Sequence, residues 1–346
     1  MNRLRPDADD TRFVRRCMLL ILIVAVLVAL WKASDLLILA FGSILGAIVI
    51  HAFADLYAER LHLSRRGALG LAIATILAAI AFLVWLFGIQ FGAQINALVL
   101  RLPSLLQQLG AWASQSPVGA KIVDAVQAAF AGSRVARDIG GLVTGGGELI
   151  LNCLLLLIGA LFFAADPGIY KRGALLMIPR GIRPAISDAI DDVEGNLRLW
   201  LRAELILMTT MGLLVAFGLW LSGVPSWAAL GLLAGLSEFV PYIGPAAAML
   251  PALGLGASVG TGPLVGALVT YAGVRLVQTN FLTPWVQSRV IAIPPAITVF
   301  AIIGIGTVFG LFGLFFSAAL LVVIFTLVRS LYLREMLGED VAAPED

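Results

Sequence analysis

Charge is scarce in this chain. Only 13% of its 346 residues are Asp, Glu, Lys or Arg, against about 25% in an average soluble protein. The net charge is +2, with no basic stripe to meet phosphates, so nucleic acid is excluded as a partner. There are 2 histidines, His51 and His62, which rules out a three-histidine metal site and the HExxH motif. There are 2 cysteines, Cys17 and Cys153, both in apolar runs. They offer no CxxC, no zinc set and no disulfide framework. No Gly-Lys dipeptide occurs, so a P-loop and an ATP-driven pump on this chain are excluded. Nothing here implies a cofactor.

What fills the chain instead is apolar. Hydrophobic residues make up 60% of it, and the mean hydropathy is +1.01. A soluble core of this size cannot hide that surface, which therefore faces lipid. About 20 apolar residues cross a bilayer as helix, and uncharged stretches at 17–31, 36–54, 67–89, 149–165 and 205–221 fit. The first follows Arg12, Arg15 and Arg16 like a signal peptide. No small-residue cleavage site comes after it, so it reads as an uncleaved helix.

Two segments between these runs are amphipathic. In 90–146, Ile95, Leu98, Leu102, Leu105, Leu109 and Trp112 recur every three or four residues, as in a coiled-coil seam. Pro103 marks where that helix starts or restarts. Such a stripe outside the membrane needs an apolar partner, on its own chain or on a neighbouring protomer, and a homo-oligomer is expected. In 166–203, Ile182, Ile186, Ile190, Val193, Leu197 and Trp200 form a second stripe among Asp188, Asp191, Asp192 and Glu194. Basic residues set the orientation. The N-terminal tail, the 55–66 loop and the short 166–203 segment are rich in them, and the longer 90–146 segment is poor. The first three are expected in the cytoplasm with the C-terminal tail, and 90–146 outside.

The last third is nearly free of charge. From 205 to 328 only Glu238, Arg275 and Arg289 interrupt it. The apolar run 290–328 would be roughly 58 Å long as one helix, so it must bend back or break. The run 227–258 is interrupted by Val240-Pro241-Tyr242-Ile243-Gly244-Pro245, which no continuous helix accommodates. Interrupted spans expose backbone at membrane depth and can bind a solute or ion, although a tight turn at the membrane face reads the same way. The glycine-rich 304–313 stretch is a second such place. Charges inside the apolar region mark functional sites by default. Glu238 can be compensated by Arg275, with Gln278 and Asn280 beside it. The alternatives are a fixed ion pair or snorkelling to an interface. Glu204 and Glu148 read as carboxylates at helix starts, favoured there by the dipole. Gly256 to Gly260 matches GxSxG, but no strand context supports a serine nucleophile. Gly231/Gly235 and Gly306/Gly310 read as close-packing GxxxG pairs.

These residues resemble a known family. Glu238-Phe239-Val240-Pro241-Tyr242-Ile243-Gly244-Pro245 is similar to the signature of the autoinducer-2 exporter family, the PerM-type permeases. Asp166-Pro167 to Ile178-Pro179, Gly218-Leu219-Trp220-Leu221 with Gly223-Val224-Pro225, and Asn280-Phe281-Leu282-Thr283-Pro284 with Arg289 and Pro294-Pro295 follow its pattern. Glu204 departs from it, standing where many relatives carry glutamine, and so does Ser317, standing where proline is common. The resemblance implies secondary transport: export of a small polar solute or signal across the bacterial inner membrane, or sodium/proton antiport. It implies no enzymatic activity. A non-transporting membrane scaffold is the remaining class. The expected fold is all-α and polytopic, with about eight transmembrane segments and broken or re-entrant helices in the C-terminal third. Residues 1–89 hold the tail and first three spans, 90–146 the extracytoplasmic helices, and 147–346 a transport core. That core includes a cytoplasmic amphipathic helix at 166–203 and broken helices at 226–328. The expected pathway comprises Glu238, Pro241, Tyr242, Gly244, Pro245, Arg275, Gln278, Asn280, Pro284 and Arg289.

Overall fold

A computed structural model describes residues 8–85, 147–282 and 294–336. The stripe at 95–112, Pro284 and Arg289 lie outside the described residues. Every regular element among the described residues is a helix. Helices α1 (Ala8–Lys32) and α2 (Ser34–Leu61) are separated by Ala33 alone, and α3 spans Arg65–Trp85. Large apolar side chains such as Ile21, Leu22, Phe82, Ile150 and Phe162 stand exposed, as lipid-facing surfaces require. Small residues hold the inner contacts. Ala47 and Ala54 of α2 meet Ala68 and Ala72 of α3, and Ala160 and Ala164 of α4 (Gly147–Ala165).

Asp166 ends α4 and caps α5 (Pro167–Leu176), its Oδ1 accepting the Ile169 N–H at 3.3 Å. Pro167 sits in the first turn, where its missing N–H costs nothing. The chain bends there by 87°.

Sequence periodicity splits 182–221 into a surface helix and a span. The structure joins them into α6, Arg183–Leu221, a single helix of 39 residues. The reason lies in the stripe itself. Leu197, Trp200, Leu201, Glu204, Leu207, Met211, Val215 and Leu219 are all buried, so one face runs unbroken from the polar half into the apolar half. Glu204 is therefore mid-helix, not at a helix start. The polar half of α6 gathers other elements at one end of the molecule. Arg198 bridges Asp55 of α2 at 3.0 Å and Glu194 at 2.8 Å. Asn196 donates to Thr326 at 3.3 Å, and Ser330 donates to Asp192 at 2.8 Å. Lys171 reaches Asp191 at 2.5 Å.

After a turn at Gly223 and Ser226, both with positive φ, α7 (Trp227–Ser237) packs back along α6. The approach is close enough that a Cβ on Gly235 would lie 2.5 Å from the Met208 carbonyl oxygen. Gly231 and Gly235 thus serve the close packing read from their spacing. The expected break at 240–245 falls at 238–242, and α8 starts at Ile243 and runs to Val259. Gly244 and Pro245 belong to its first turn. Tyr242 takes φ 66° and ψ −51°, a conformation rarely adopted by a residue with a side chain. Helix α9 (Thr261–Val277) follows and ends in a π-helical turn, Gln278–Leu282. Val215, Leu219, Leu230, Ala234, Ala248, Ala252, Ala267 and Tyr271 knit α6 to α9 into one core.

Helix α10 is Pro295–Leu327, with non-helical Gly310 inside it at φ 67° and ψ −149°. Only glycine reaches that region cheaply. Ile302 and Leu314 share a cluster with Val240 and Ile243. Twelve residues of straight helix would hold them about 18 Å apart, so the chain turns sharply at Gly310. Gly310 thus sets the turn in the chain.

Four helices are long and apolar enough to cross a membrane among the described residues: Ser34–Leu61, Arg65–Trp85, Arg183–Leu221 and Ala296–Arg334. The bent pair Ile150–Ala165 and Pro167–Leu176 makes a fifth if counted together. That bent pair lies at 150–176, not in the C-terminal third where the broken helices are expected. Shorter apolar helices account for Cys17–Lys32, Trp227–Ser237 and Ile243–Val259.

Candidate functional site

The break after α7 leaves a carboxylate inside the molecule. Glu238 caps the C-terminal end of α7, its backbone N–H bonded to the Gly235 carbonyl. Its side chain turns inward and is only 7% exposed. Arg275 and Gln278 are three residues apart at the end of α9, hence on one helix face. Gln278 Nε2 donates to Glu238 Oε2 at 2.7 Å. The Arg275 guanidinium donates to Gln278 Oε1 and lies 3.6 Å from the same Glu238 oxygen. Only one orientation of the Gln278 amide satisfies both neighbours, since its oxygen must accept and its nitrogen must donate. The amide is a polar bridge between cation and anion.

Aromatic rings wall one side. Phe239 stacks on Phe315 at 4.3 Å between centroids, and meets Trp200 edge-on at 5.5 Å and Phe316 at 6.3 Å. Tyr271, one turn before Arg275, donates its hydroxyl to the Ala248 carbonyl at 3.0 Å, tying α9 to α8 beside the cluster.

The remaining residues expected on the pathway divide. Pro241, Tyr242, Gly244 and Pro245 form the bend next to Glu238. A Cβ on Gly244 would lie 2.7 Å from the Ser237 carbonyl carbon and nearer still to its oxygen. Gly244 therefore seats the first turn of α8 on the end of α7. Pro245 is buried, and Tyr242 is half exposed. Asn280 does not join the cluster; it is exposed and donates to the Leu276 carbonyl of its own turn at 2.8 Å.

Glu204 was absent from the expected set. It is 8% exposed and lies on the buried face of α6, which meets α7. The contact ladder between α6 and α7 places it there: Met208 lies against Gly235, and Trp200 against Phe239. A signal was present in the sequence. Extending the stripe of Val193, Leu197 and Trp200 by one turn lands on Glu204.

The described residues hold no group of three His, Cys, Asp or Glu side chains suited to a metal ion. Chemically, the cluster offers a carboxylate, an amide and a guanidinium, the last 40% exposed. It can receive a polar solute by exchange of hydrogen bonds, with Arg275 able to meet a carbonyl or anionic group.

A family model described as "AI-2E family transporter" matches residues 19–332. Three curated proteins are similar over shorter stretches. "Putative transport protein YrrI" of Bacillus subtilis (strain 168) is 23% identical over 44% of this chain and 43% of its own length. "Putative transport protein YtvI" of the same organism is 26% identical over 52% of this chain and 48% of its own. A "Putative transport protein" of Thermotoga maritima is 30% identical over 34% of this chain and 37% of its own. The matched segments thus span about half or less of each relative.

Proposed function

The chain belongs to the AI-2E transporter family, and from that premise we propose that it is a secondary transporter of the autoinducer-2 exporter type. It moves a small polar solute or signal molecule across the inner membrane, with Glu238, Gln278 and Arg275 as the polar site on the pathway. The observation that carries this reading is the buried hydrogen-bonded cluster itself, set at a helix break inside a lipid-facing helical protein. Ionisable groups there are costly and are kept where they act.

The bend at 238–242 and the turn at Gly310 touch through Val240, Ile243, Ile302 and Leu314. This supports two hairpin-like, re-entrant halves that meet beside the cluster, in a fold of about eight membrane segments. Pro241, Tyr242, Gly244 and Pro245 would fix the bend, and rigid movement of α7 and α8 would give alternating access. Asn280, Pro284 and Arg289, the last two outside the described residues, complete the proposed pathway.

The ties among Asp55, Asp192, Asn196, Arg198, Thr326 and Ser330 bring the ends of α2 and α10 to the polar half of α6. That convergence supports placing the 55–66 loop, 166–203 and the C-terminus on one side, the cytoplasm. The N-terminus is assigned there and 90–146 outside by their basic content. The partition into an N-terminal unit (1–89), an extracytoplasmic unit (90–146) and a transport core (147–346) follows, with 90–146 joining protomers in a homo-oligomer.

Reconstitution in proteoliposomes tests the reading. A labelled polar solute should cross with the wild type, and replacing Gly244 with Val should keep insertion and oligomer size while stopping transport. Collapse of a pH gradient on adding sodium would instead favour sodium/proton antiport. If nothing moves, the chain is a scaffold.

A further inference from the structure

A helix at a protein surface turns its apolar face inward. Helix α5 does the reverse. Gly168, Lys171, Leu175 and, just past its end, Ile178 recur every three or four residues as its half-buried face. Lys171 pairs inward with Asp191. The face turned away from the protein carries Ile169, Leu176 and Met177, the last two 72% and 88% exposed. Tyr170 ties the helix to α4, its ring edge-on to Phe163 at 4.5 Å. Arg172 borders the outer face, its Nε donating to the Gly168 carbonyl at 3.1 Å. Arg180 follows in the turn to α6, which Arg183 braces by donating to the Ile178 carbonyl at 3.0 Å. Arg172 and Arg180 are exposed and have no ion pair among the described residues. Asp166 is used by the α5 cap. Carboxylates of the two termini, such as Asp10 and Glu339, lie outside the described side chains.

The level of α5 in the molecule accounts for its inverted faces. Ala54 of α2, Ala68 of α3 and Ala164 of α4 share one cluster, and charge begins beside each of them, at Asp55, Arg66 and Asp166. The apolar slab ends at that level. Helix α5 leaves it at 87° to α4, hence along the membrane plane. We propose that α5 lies in the headgroup layer, with Ile169, Leu176 and Met177 among the acyl chains and Arg172 and Arg180 on the phosphate of an anionic phospholipid. An outward apolar face rimmed by arginines is what such a surface binds. A zwitterionic lipid brings its own cation and matches the two guanidiniums less well. A soluble acidic partner would leave the apolar face in water. The proposal goes beyond the transport reading and depends neither on the solute nor on the Glu238 cluster.

The test uses the purified full chain, with the carboxylates of both termini in place to compete. Native mass spectrometry from detergent counts bound phosphatidylglycerol against phosphatidylcholine. The wild type should prefer phosphatidylglycerol, and Arg172→Gln/Arg180→Gln should lose roughly 25-fold in that affinity, since each basic residue near an anionic surface contributes roughly fivefold. Equal binding of the two lipids overturns the proposal. So does an equal loss in Arg60→Gln/Arg202→Gln, which removes two exposed arginines elsewhere and would make the preference a general effect of charge. Competition by glycerol 3-phosphate would mean that a free phosphate suffices, and overturns the lipid. A second measurement does not need the double variant to fold. A spin label is placed on Met177→Cys in a chain with Cys17→Ser and Cys153→Ser, in nanodiscs containing phosphatidylglycerol, with Asp188→Cys as the water-exposed reference. The label at 177 should collide more with oxygen than with a nickel chelate, as a lipid-immersed group does. More collision with nickel means that the face stands in water, and little collision with either means that protein covers it. Both of those results overturn the proposal.

Discussion

Removing Arg275 should damage the protein more than removing Glu238, although the two groups form one pair. Their surroundings differ: the Glu238 side chain is 7% exposed and that of Arg275 is 40% exposed. In Arg275→Leu the carboxylate stays inside with only the Gln278 amide. Breaking a buried pair from one side costs about 3–5 kcal/mol, and the part-exposed arginine puts this case at the low end, about 3 kcal/mol. In Glu238→Leu the guanidinium can turn outward on its long stem, so the loss is nearer about 1 kcal/mol. The double variant Glu238→Leu/Arg275→Leu leaves no stranded charge and should lose less than Arg275→Leu alone. Thermal unfolding in detergent, followed by tryptophan fluorescence, reads this directly. At about 2–4 °C per kcal/mol for a domain of 150–250 residues, Arg275→Leu should melt some 4–8 °C below Glu238→Leu. The double variant should melt between them. Additive losses, with the double variant the least stable of the three, would show that the pair does not interact and refute the reasoning.

Three further outcomes are expected. Cysteines introduced at Ser114 and Ser187 and probed with an impermeant maleimide on intact cells should label at 114 only; labelling at 187 but not 114 would invert the proposed orientation. Changing Leu102, Leu105 and Leu109 together to Ser should lower the mass of the solubilised particle if these residues join protomers, and an unchanged mass with intact folding would place their partner within the chain. Gly310→Ala should cost about 1–3 kcal/mol, because φ 67° with ψ −149° penalises any Cβ. A melting temperature equal to that of the wild type would mean that the turn has relaxed into ordinary helix.

Much of the described fold was legible because apolar length and periodicity report burial directly. The runs at 36–54 and 149–165 fall inside α2 and α4. Pro241 announced a break, although the chain reorders it: Pro245 is compatible with a first helical turn, so the interruption ends at Tyr242. Glu238 and Arg275 were conspicuous as lone charges in an apolar region, and they meet. What was missed depended on partners distant in sequence. Asn280 lies two residues from Gln278 yet points elsewhere, because residues two apart in a helix lie on opposite faces. Glu204 looked like a helix-start residue because the composition changes at 203–205. Backbone hydrogen bonding does not follow composition, and α6 runs straight through.

That continuity gives α6 the mechanics of a lever. Its fulcrum is the knot of polar ties at Asp192, Asn196 and Arg198, shared with α2 and the end of α10. Measured from Arg198 at 1.5 Å per residue, Glu204 lies about 9 Å along the rod and Leu221 about 35 Å. A rocking of roughly 10° about the knot would carry Glu204 less than about 2 Å, while the far tip sweeps about 6 Å. The short arm barely displaces the buried middle of the helix, and the long arm is enough to part a mouth on the opposite face. One stroke would then serve both ends at once, with no joint between them to slip.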